Sequence, residues 1–461
     1  MNILKKKNGK NNLIRAYLIM LLGVLLFAGI FTLSDLPIVT IFLISVISVF
    51  FLSIVFFSKN IFNPFNFFFI YTFLGFIDIT MVASGVRNGL YDVPNYIYNK
   101  SLFIMLIWLV TFTLGYLCVV KITIKVKHFR NLDNEQENDI YPWVIFTLCC
   151  VVFSFSFLST LKNSLKLGGL VEGMSGGGEA FADQGYLLAL LGFAGCLPVL
   201  ALYSGKKIRA VIYALLVFIS IVITGRRSMA ILTAFLPLCV YWNSKVKKIK
   251  LLNIAIIAVP LLIIIMYVGA IRTADNPSFS ETYTDNYFVS QLAILARYNG
   301  YGDNIPLMIS KIDSGALDFQ KFEYIYRGVQ YYIPRNLWPE KPLVHSAQIV
   351  SNSVFFKGDT GRPVNAYGWA YFNFGYVGVI LSGFFTGIIV SYFYKIVQKR
   401  KSVMLLCMYA LLILPVLEIF QPEAQMKILL FTVTLKMLEI ISRKNKKSRA
   451  NFWGDNSERY N

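Results

Sequence analysis

Apolar runs of about eighteen residues or more recur along this chain, separated by short polar or basic connectors. A run of that length has one common solution in lipid. Hydrocarbon offers no partner to an open backbone N–H or C=O, so the segment closes its hydrogen bonds within itself as a helix. No alternating pattern of about ten residues, the mark of a membrane barrel, is present. The expected fold class is an all-α polytopic membrane protein. About twelve transmembrane helices are expected, near 15–34, 37–57, 64–84, 101–120, 142–160, 186–204, 209–224, 228–243, 251–271, 366–394, 402–420 and 427–442. The pair 209–224 and 228–243 is short, with only GRR (225–227) between its members. The whole chain, 1–461, reads as a single integral membrane domain. Charged residues make up 15% of it, against about a quarter in soluble domains, and that deficit excludes a soluble globular enzyme.

A net charge of +20 would point to nucleic acid in a soluble protein. Here the basic residues sit mostly in short connectors. The bias of Lys and Arg toward the cytoplasmic side accounts for them, and no nucleic-acid partner is expected. The opening MNILKKKNGKNNLIR, the KITIKVKHFR connector (121–130), Lys206, Lys207 and Arg209, the KVKKIK run (245–250), the basic stretch 395–401 and the RKNKKSR tail alternate with connectors on the other side. Both termini are therefore expected in the cytoplasm, and segment 272–365 becomes one large extracytoplasmic loop. The basic opening, with no convincing small-residue cleavage site after it, reads as a retained signal anchor.

The two sides differ in their cations. Lysine dominates the inner connectors, where it sets topology. Arginine is richer outside, at Arg87, Arg226, Arg227, Arg272, Arg297, Arg327, Arg335 and Arg362. Its planar fork binds phosphate oxygens two at a time. Salt bridges to outer carboxylates explain any single one of these as well; their number favours a polyanion site. The six cysteines and two histidines form no CxxC pair and no metal-ligand spacing, so no metal is expected.

Two outer stretches carry the chemistry. TGRRSMA (224–230) sets Arg226 and Arg227 at the edge of an apolar run, where each costs up to about 3 kcal/mol to insert. They either snorkel to lipid phosphates or bind a lipid-linked phosphate. YRGVQYYIPRNLWPEKP (326–342) holds Arg327 and Arg335 on a backbone stiffened by Pro334, Pro339 and Pro342. Its Tyr331, Tyr332 and Trp338 fit interface anchors or platforms for sugar rings. Lys341 adds positive charge or pairs with Glu340. YFVSQLAILARYNG (287–300) suits a helix lying along the membrane surface. The glycine-rich 165–185 stretch reads as a spacer or lid and lacks a P-loop ending.

RGVQYYIPRNLWPEKP resembles the signature of the Wzy-type oligosaccharide repeat-unit polymerases, which carry a Pro-Arg, Trp-Pro, Lys-Pro series in a large outer loop. GRPVNAYGWAYFNFGYVGVI (361–380), with its AYxNFGxxG core, is similar to the family's entry into the next span. TGRRS resembles a boundary motif shared by O-antigen polymerases and ligases. The resemblance implies a fold like the O-antigen ligases and the glycosyltransferase type C (GT-C) enzymes. It implies a bacterial plasma (inner) membrane protein that moves a growing glycan from one undecaprenyl-pyrophosphate carrier onto another lipid-linked repeat unit. Membrane lipids, a flippase and a chain-length regulator are the further partners it implies, and no cofactor.

That chemistry needs cations for the departing pyrophosphate and a base for the attacking hydroxyl. Arg226, Arg227, Arg327 and Arg335 are the first candidates for the cations, with Arg272, Arg362, Trp338 and Lys341 beside them. His345 is the candidate base, with Asp359, Glu340 and Glu323 as rivals. Glu418 and Glu423, in EIFQPEAQ, either line the same cavity or are solvated loop acids. Two alternatives stay open: an O-antigen-type ligase, and a lipid-linked oligosaccharide flippase. The flippase would need a charged central pathway and repeated halves, neither of which is evident in the sequence.

Overall fold

The computed structural model describes residues 62–85, 89–121, 192–222, 227–246, 301–321, 337–356, 364–400 and 403–433, parts of 40–49 and 147–162, and positions 330 and 333. Among the described residues every regular element is a helix. Three are long and apolar enough to cross a membrane: Pro64–Ala83, Asn95–Val119 and Ala366–Lys399. The expected all-helical membrane architecture is therefore present. The spans expected near 15–34 and 251–271, the glycine-rich stretch and the surface helix at 287–300 lie outside the described residues.

Helix α1, Pro64–Ala83, starts where Asn63 accepts a hydrogen bond from the Phe65 amide at 3.0 Å, with proline in the first turn. Helix α2, Asn95–Lys121, runs antiparallel beside it. Phe68 of α1 stacks on Phe112 of α2 at 3.7 Å between ring centroids, and lies 5.1 Å from Trp108. All three rings are fully buried. In lipid the apolar effect does not drive helices together, so such packing has to.

The long element α9, Ala366–Arg400, lies along α2 at its C-terminal part. A Cβ on Gly387 would collide with the Phe112 carbonyl, one on Gly383 with Thr111, and one on Gly115 with the Phe384 carbonyl. These glycines let the two backbones touch, as small residues do in membrane helix pairs. Read by length alone, 366–394 is a single crossing. The backbone keeps one full-length arm and adds a turn near its start. Phe374 and Gly375 leave helical geometry, and Gly375 has φ 60° and ψ −145°, a region open only to glycine. Tyr367 packs on Trp108 at 6.2 Å, and Gly383 also reaches Trp108. In a straight helix those two residues would lie about 24 Å apart. Gly378 lies against the Ala370 carbonyl. The element is a hairpin: a short arm (366–373), a turn at 374–375, then a full-length arm. The AYxNFGxxG core is that turn. Asn373 bonds the Trp369 carbonyl at 2.8 Å, Gly375 turns the chain, and Gly378 lets the arms meet. Gln320 and Lys321 donate their amides to Phe372 and Asn373 carbonyls at 3.1 and 2.9 Å, which satisfies the end of the short arm.

A second group packs alongside: α3 (Cys196–Tyr203), α4 (Lys207–Val222), α5 (Arg227–Ala234) and α6 (Leu236–Tyr241). Proline at the start of α6 breaks it from α5. Above 301, α7 (Tyr301–Asp313) and α8 (Ser346–Phe355) cover one end of the molecule. The α7 end is pinned by carboxylates. Gly302 donates to Asp78 of α1 at 2.6 Å, Leu90 donates to Asp303 at 2.8 Å, and Lys100 of α2 pairs with Asp313 at 2.6 Å. Helix α10 (Val403–Leu417) joins the groups and is anchored to α1 by Tyr409, whose hydroxyl donates to the Phe62 carbonyl at 2.7 Å. Residues 422–433 form α11, which packs Phe431 on Phe193 at 4.1 Å.

Candidate functional site

An unpaired polar group inside an apolar bundle costs about 1–3 kcal/mol, so the pairing of buried polar side chains shows where this chain invests in polarity. Two acids stand out between α10 and α11. Glu418 accepts from the Tyr71 hydroxyl at 2.8 Å. That hydroxyl in turn accepts from the Ala366 amide at 2.7 Å, the first residue of the short hairpin arm. Tyr71 lies mid-way along α1, about 18 Å short of its Ala83 end. The α10–α11 turn therefore does not reach the rim of the molecule; it forms a floor sunk within the bundle.

Glu423 is 7% exposed and meets the start of α8. One carboxylate oxygen accepts from the Ser346 amide at 3.1 Å, and the other from the Ser346 hydroxyl. The arrangement follows from helix physics. The first amides of α8 have no partner within the helix, and its dipole favours an anion there. His345 is the N-cap residue of α8 and makes no side-chain cap. Its Nδ1 lies 3.6 Å from Glu423 Oε1, with 32% of the side chain exposed. Gln421 closes the floor by donating to the Val364 carbonyl at 3.2 Å, and Trp369 donates to the Phe420 carbonyl at 2.8 Å. Asn365 caps the short arm by accepting from Gly368 at 3.0 Å.

The structure thus brings together His345, Ser346, Gln421, Glu423, Glu418, Tyr71 and the start of α9. A half-exposed imidazole backed by a buried carboxylate is an arrangement that accepts a proton from a neighbouring hydroxyl. Glu418 and Glu423 are hydrogen-bonded within the bundle and are not solvated loop acids. Of the other candidates, Trp338 is half-buried and Lys341 closes the turn before α8: its ammonium donates to the Ile333 carbonyl at 2.8 Å, and its amide to the Trp338 carbonyl at 3.1 Å. Glu340 is exposed. Arg227 opens α5. Arg226, Arg272, Arg327, Arg335 and Arg362, and the rival acids Glu323 and Asp359, lie outside the described residues. Among the described residues no group of three His, Cys, Asp or Glu side chains could hold a metal ion. Sequence reasoning missed Tyr71, Ser346 and Gln421. Nothing in IYTF or HSAQ separates them from ordinary helix residues; only the fold does.

The family model for O-antigen polysaccharide polymerase Wzy matches residues 13–441 of this chain. Two curated proteins, both called O-antigen polymerase, are similar to it, one from Salmonella typhimurium strain LT2 and one from Salmonella typhi. Each is 24% identical over 339 residues, which cover 70% of this chain and 76% of the relative. No solved structure matches.

Proposed function

Because the chain belongs to the O-antigen polysaccharide polymerase Wzy family, a membrane family of bacterial polysaccharide synthesis, we propose that it is a glycosyltransferase that polymerises lipid-linked oligosaccharide repeat units. The donor is a growing glycan on undecaprenyl pyrophosphate, and the acceptor is a second lipid-linked unit. The non-reducing-end hydroxyl of the acceptor attacks the anomeric carbon of the donor. The bond from that carbon to the pyrophosphate oxygen breaks, the glycosidic bond forms, and undecaprenyl pyrophosphate leaves. The hydroxyl proton goes to His345. The protein sits in the bacterial inner membrane with the α7–α8 side facing outward, where lipid-linked units arrive and nucleotide sugars are absent. The positive-inside bias supports this orientation: Lys121, Lys395, Lys399 and Arg400 share the opposite end.

The observation that carries this reading is the His345–Glu423 pair over a sunken polar floor in a member of this family. Arg226, Arg227, Arg327 and Arg335 supply the charge that a departing pyrophosphate needs, with Arg272, Arg362, Trp338 and Lys341 at the glycan and phosphate margins. Segment 272–365 holds four of these arginines, Arg272, Arg327, Arg335 and Arg362, together with His345.

The test is a deletion in the host, with re-expression of wild type, His345→Ala, Arg335→Ala and Arg335→Lys. Surface glycan and the lipid-linked pool are then run side by side. Polymerisation predicts that the ladder collapses to single repeat units in the deletion, in His345→Ala and in both Arg335 variants, with each variant present in the membrane. Lipid-linked units trapped on the inner face of the deletion strain would indicate a flippase. Full-length lipid-linked polymer that never reaches its final acceptor would indicate a ligase.

A further inference from the structure

Glu423 has no assigned part in the reaction. We propose that it is the positioning residue for His345, holding the imidazole and offsetting the charge that the ring gains when it takes the acceptor's proton. The inference rests on His345 being the base. Three observations carry it. Both carboxylate oxygens of Glu423 receive donors from Ser346, one from the amide at 3.1 Å and one from the hydroxyl. These two donors fix the orientation of the carboxylate at the start of α8. The residue is 7% exposed, so its charge is poorly screened by water. And Oε1 stands 3.6 Å from His345 Nδ1, an ion-pair distance that tightens once the ring is cationic. The outward nitrogen is then the one that meets substrate.

Glu423 does two jobs with one group. It closes the amides at the start of α8, and it fixes the ring of the residue just before them. The helix that carries His345 is thereby tied to the α10–α11 connection. Other titratable groups surround the pair. Glu418, on the α10–α11 turn, interacts electrostatically with Glu423 and with Lys427 of α11. Tyr71 of α1 donates to Glu418. None of these is replaced in the variants below, but Glu423→Gln also removes the charge that acts on Glu418; Glu423→Asp, which keeps that charge, is the control for it.

The sign follows from the charge. A carboxylate beside the ring stabilises imidazolium, and neutral imidazole is the form that accepts a proton. Removing that charge lets the ring lose its proton at lower pH, and leaves it a weaker base. In membrane vesicles supplied with lipid-linked repeat units from the deletion strain, Glu423→Gln should cut the polymerisation rate about tenfold or more. It should also move the acidic limb of the rate profile to lower pH. Glu423→Asp keeps the charge and should leave the limb near its wild-type place while the rate falls. Should Glu423→Gln not accumulate in membranes, Glu423→Asp carries the test through its rate: a full wild-type rate per folded molecule would overturn the proposal. Ser346→Ala, which removes a hydroxyl and leaves the carboxylate, should lower the melting temperature without moving the limb. An unchanged rate and limb in Glu423→Gln would overturn the proposal. So would a loss of rate that tracks a loss of folded protein, with the limb in place. Full activity in His345→Ala would overturn the reading of His345 itself, a result distinct from either of these.

Discussion

At the scale of the residue, the site is a chain of buried polar contacts that hand partners to one another. Tyr71 is the clearest case: it donates to Glu418 and accepts from Ala366. Tyr71→Phe removes both bonds at once and leaves a half-buried acid short of a donor. That should cost about 2–4 kcal/mol, the sum of two such losses, and thermal unfolding in detergent should show a clear drop in Tm. Tyr409→Phe removes a single bond to the Phe62 carbonyl and should cost about 1 kcal/mol. Equal losses in the two variants would contradict the relay. Glu418 and Glu423 were visible in the sequence as acids in a short connector, and His345 as a lone histidine in a basic, aromatic loop. Their meeting was not visible, because His345 and Glu423 come from segments that only the fold makes neighbours. The arginines stand out in the sequence for a different reason, because a guanidinium at a membrane boundary is expensive; of those named as candidates only Arg227 falls within the described residues.

At the scale of the element, glycines decide the geometry. The α2–α9 contact depends on Gly115, Gly383 and Gly387, where backbones meet with no room for a side chain. Gly387→Leu should separate the helices, reduce the amount of folded protein in the membrane and abolish activity. Size-exclusion profiles in detergent check the first effect. The hairpin is more demanding still. Gly375 lies at a φ of 60° with the Phe319 ring 3.1 Å from where a Cβ would be. Gly375→Val should therefore disrupt the turn, while Tyr376→Phe, at the next position, should be tolerated. Hydrophobicity marked 366–394 as a span, since a run of apolar residues looks the same whether it crosses once or folds back. The signal that distinguishes them was present as the Asn-Phe-Gly core and the glycine three residues later. It becomes legible only once one asks which backbone a glycine is there to admit. Helix α1 posed no such difficulty: Asn-Pro at its start and a polar Ser-Gly at its end bound it in sequence as in structure.

At the scale of the whole molecule, the polar groups and the basic ends divide between two faces. The α7–α8 side carries the imidazole, the floor carboxylates and the pinned loop. The other end carries Lys121, Lys395, Lys399 and Arg400. A cysteine placed at exposed Ser314 should react with a membrane-impermeant thiol reagent in intact spheroplasts. One placed at exposed Lys206 should react only after lysis. Labelling of both from outside would contradict the proposed orientation. The account's central claim, that this chain itself joins lipid-linked units, is tested most directly by reconstitution. The purified protein, in vesicles of bacterial lipid, is given lipid-linked repeat units and nothing else, and the products are resolved by size. A ladder of lipid-linked polymers, with release of undecaprenyl pyrophosphate in step with each bond formed, is the result expected. Repeat units that stay single under those conditions, while the same preparation carries them across the bilayer, would contradict it.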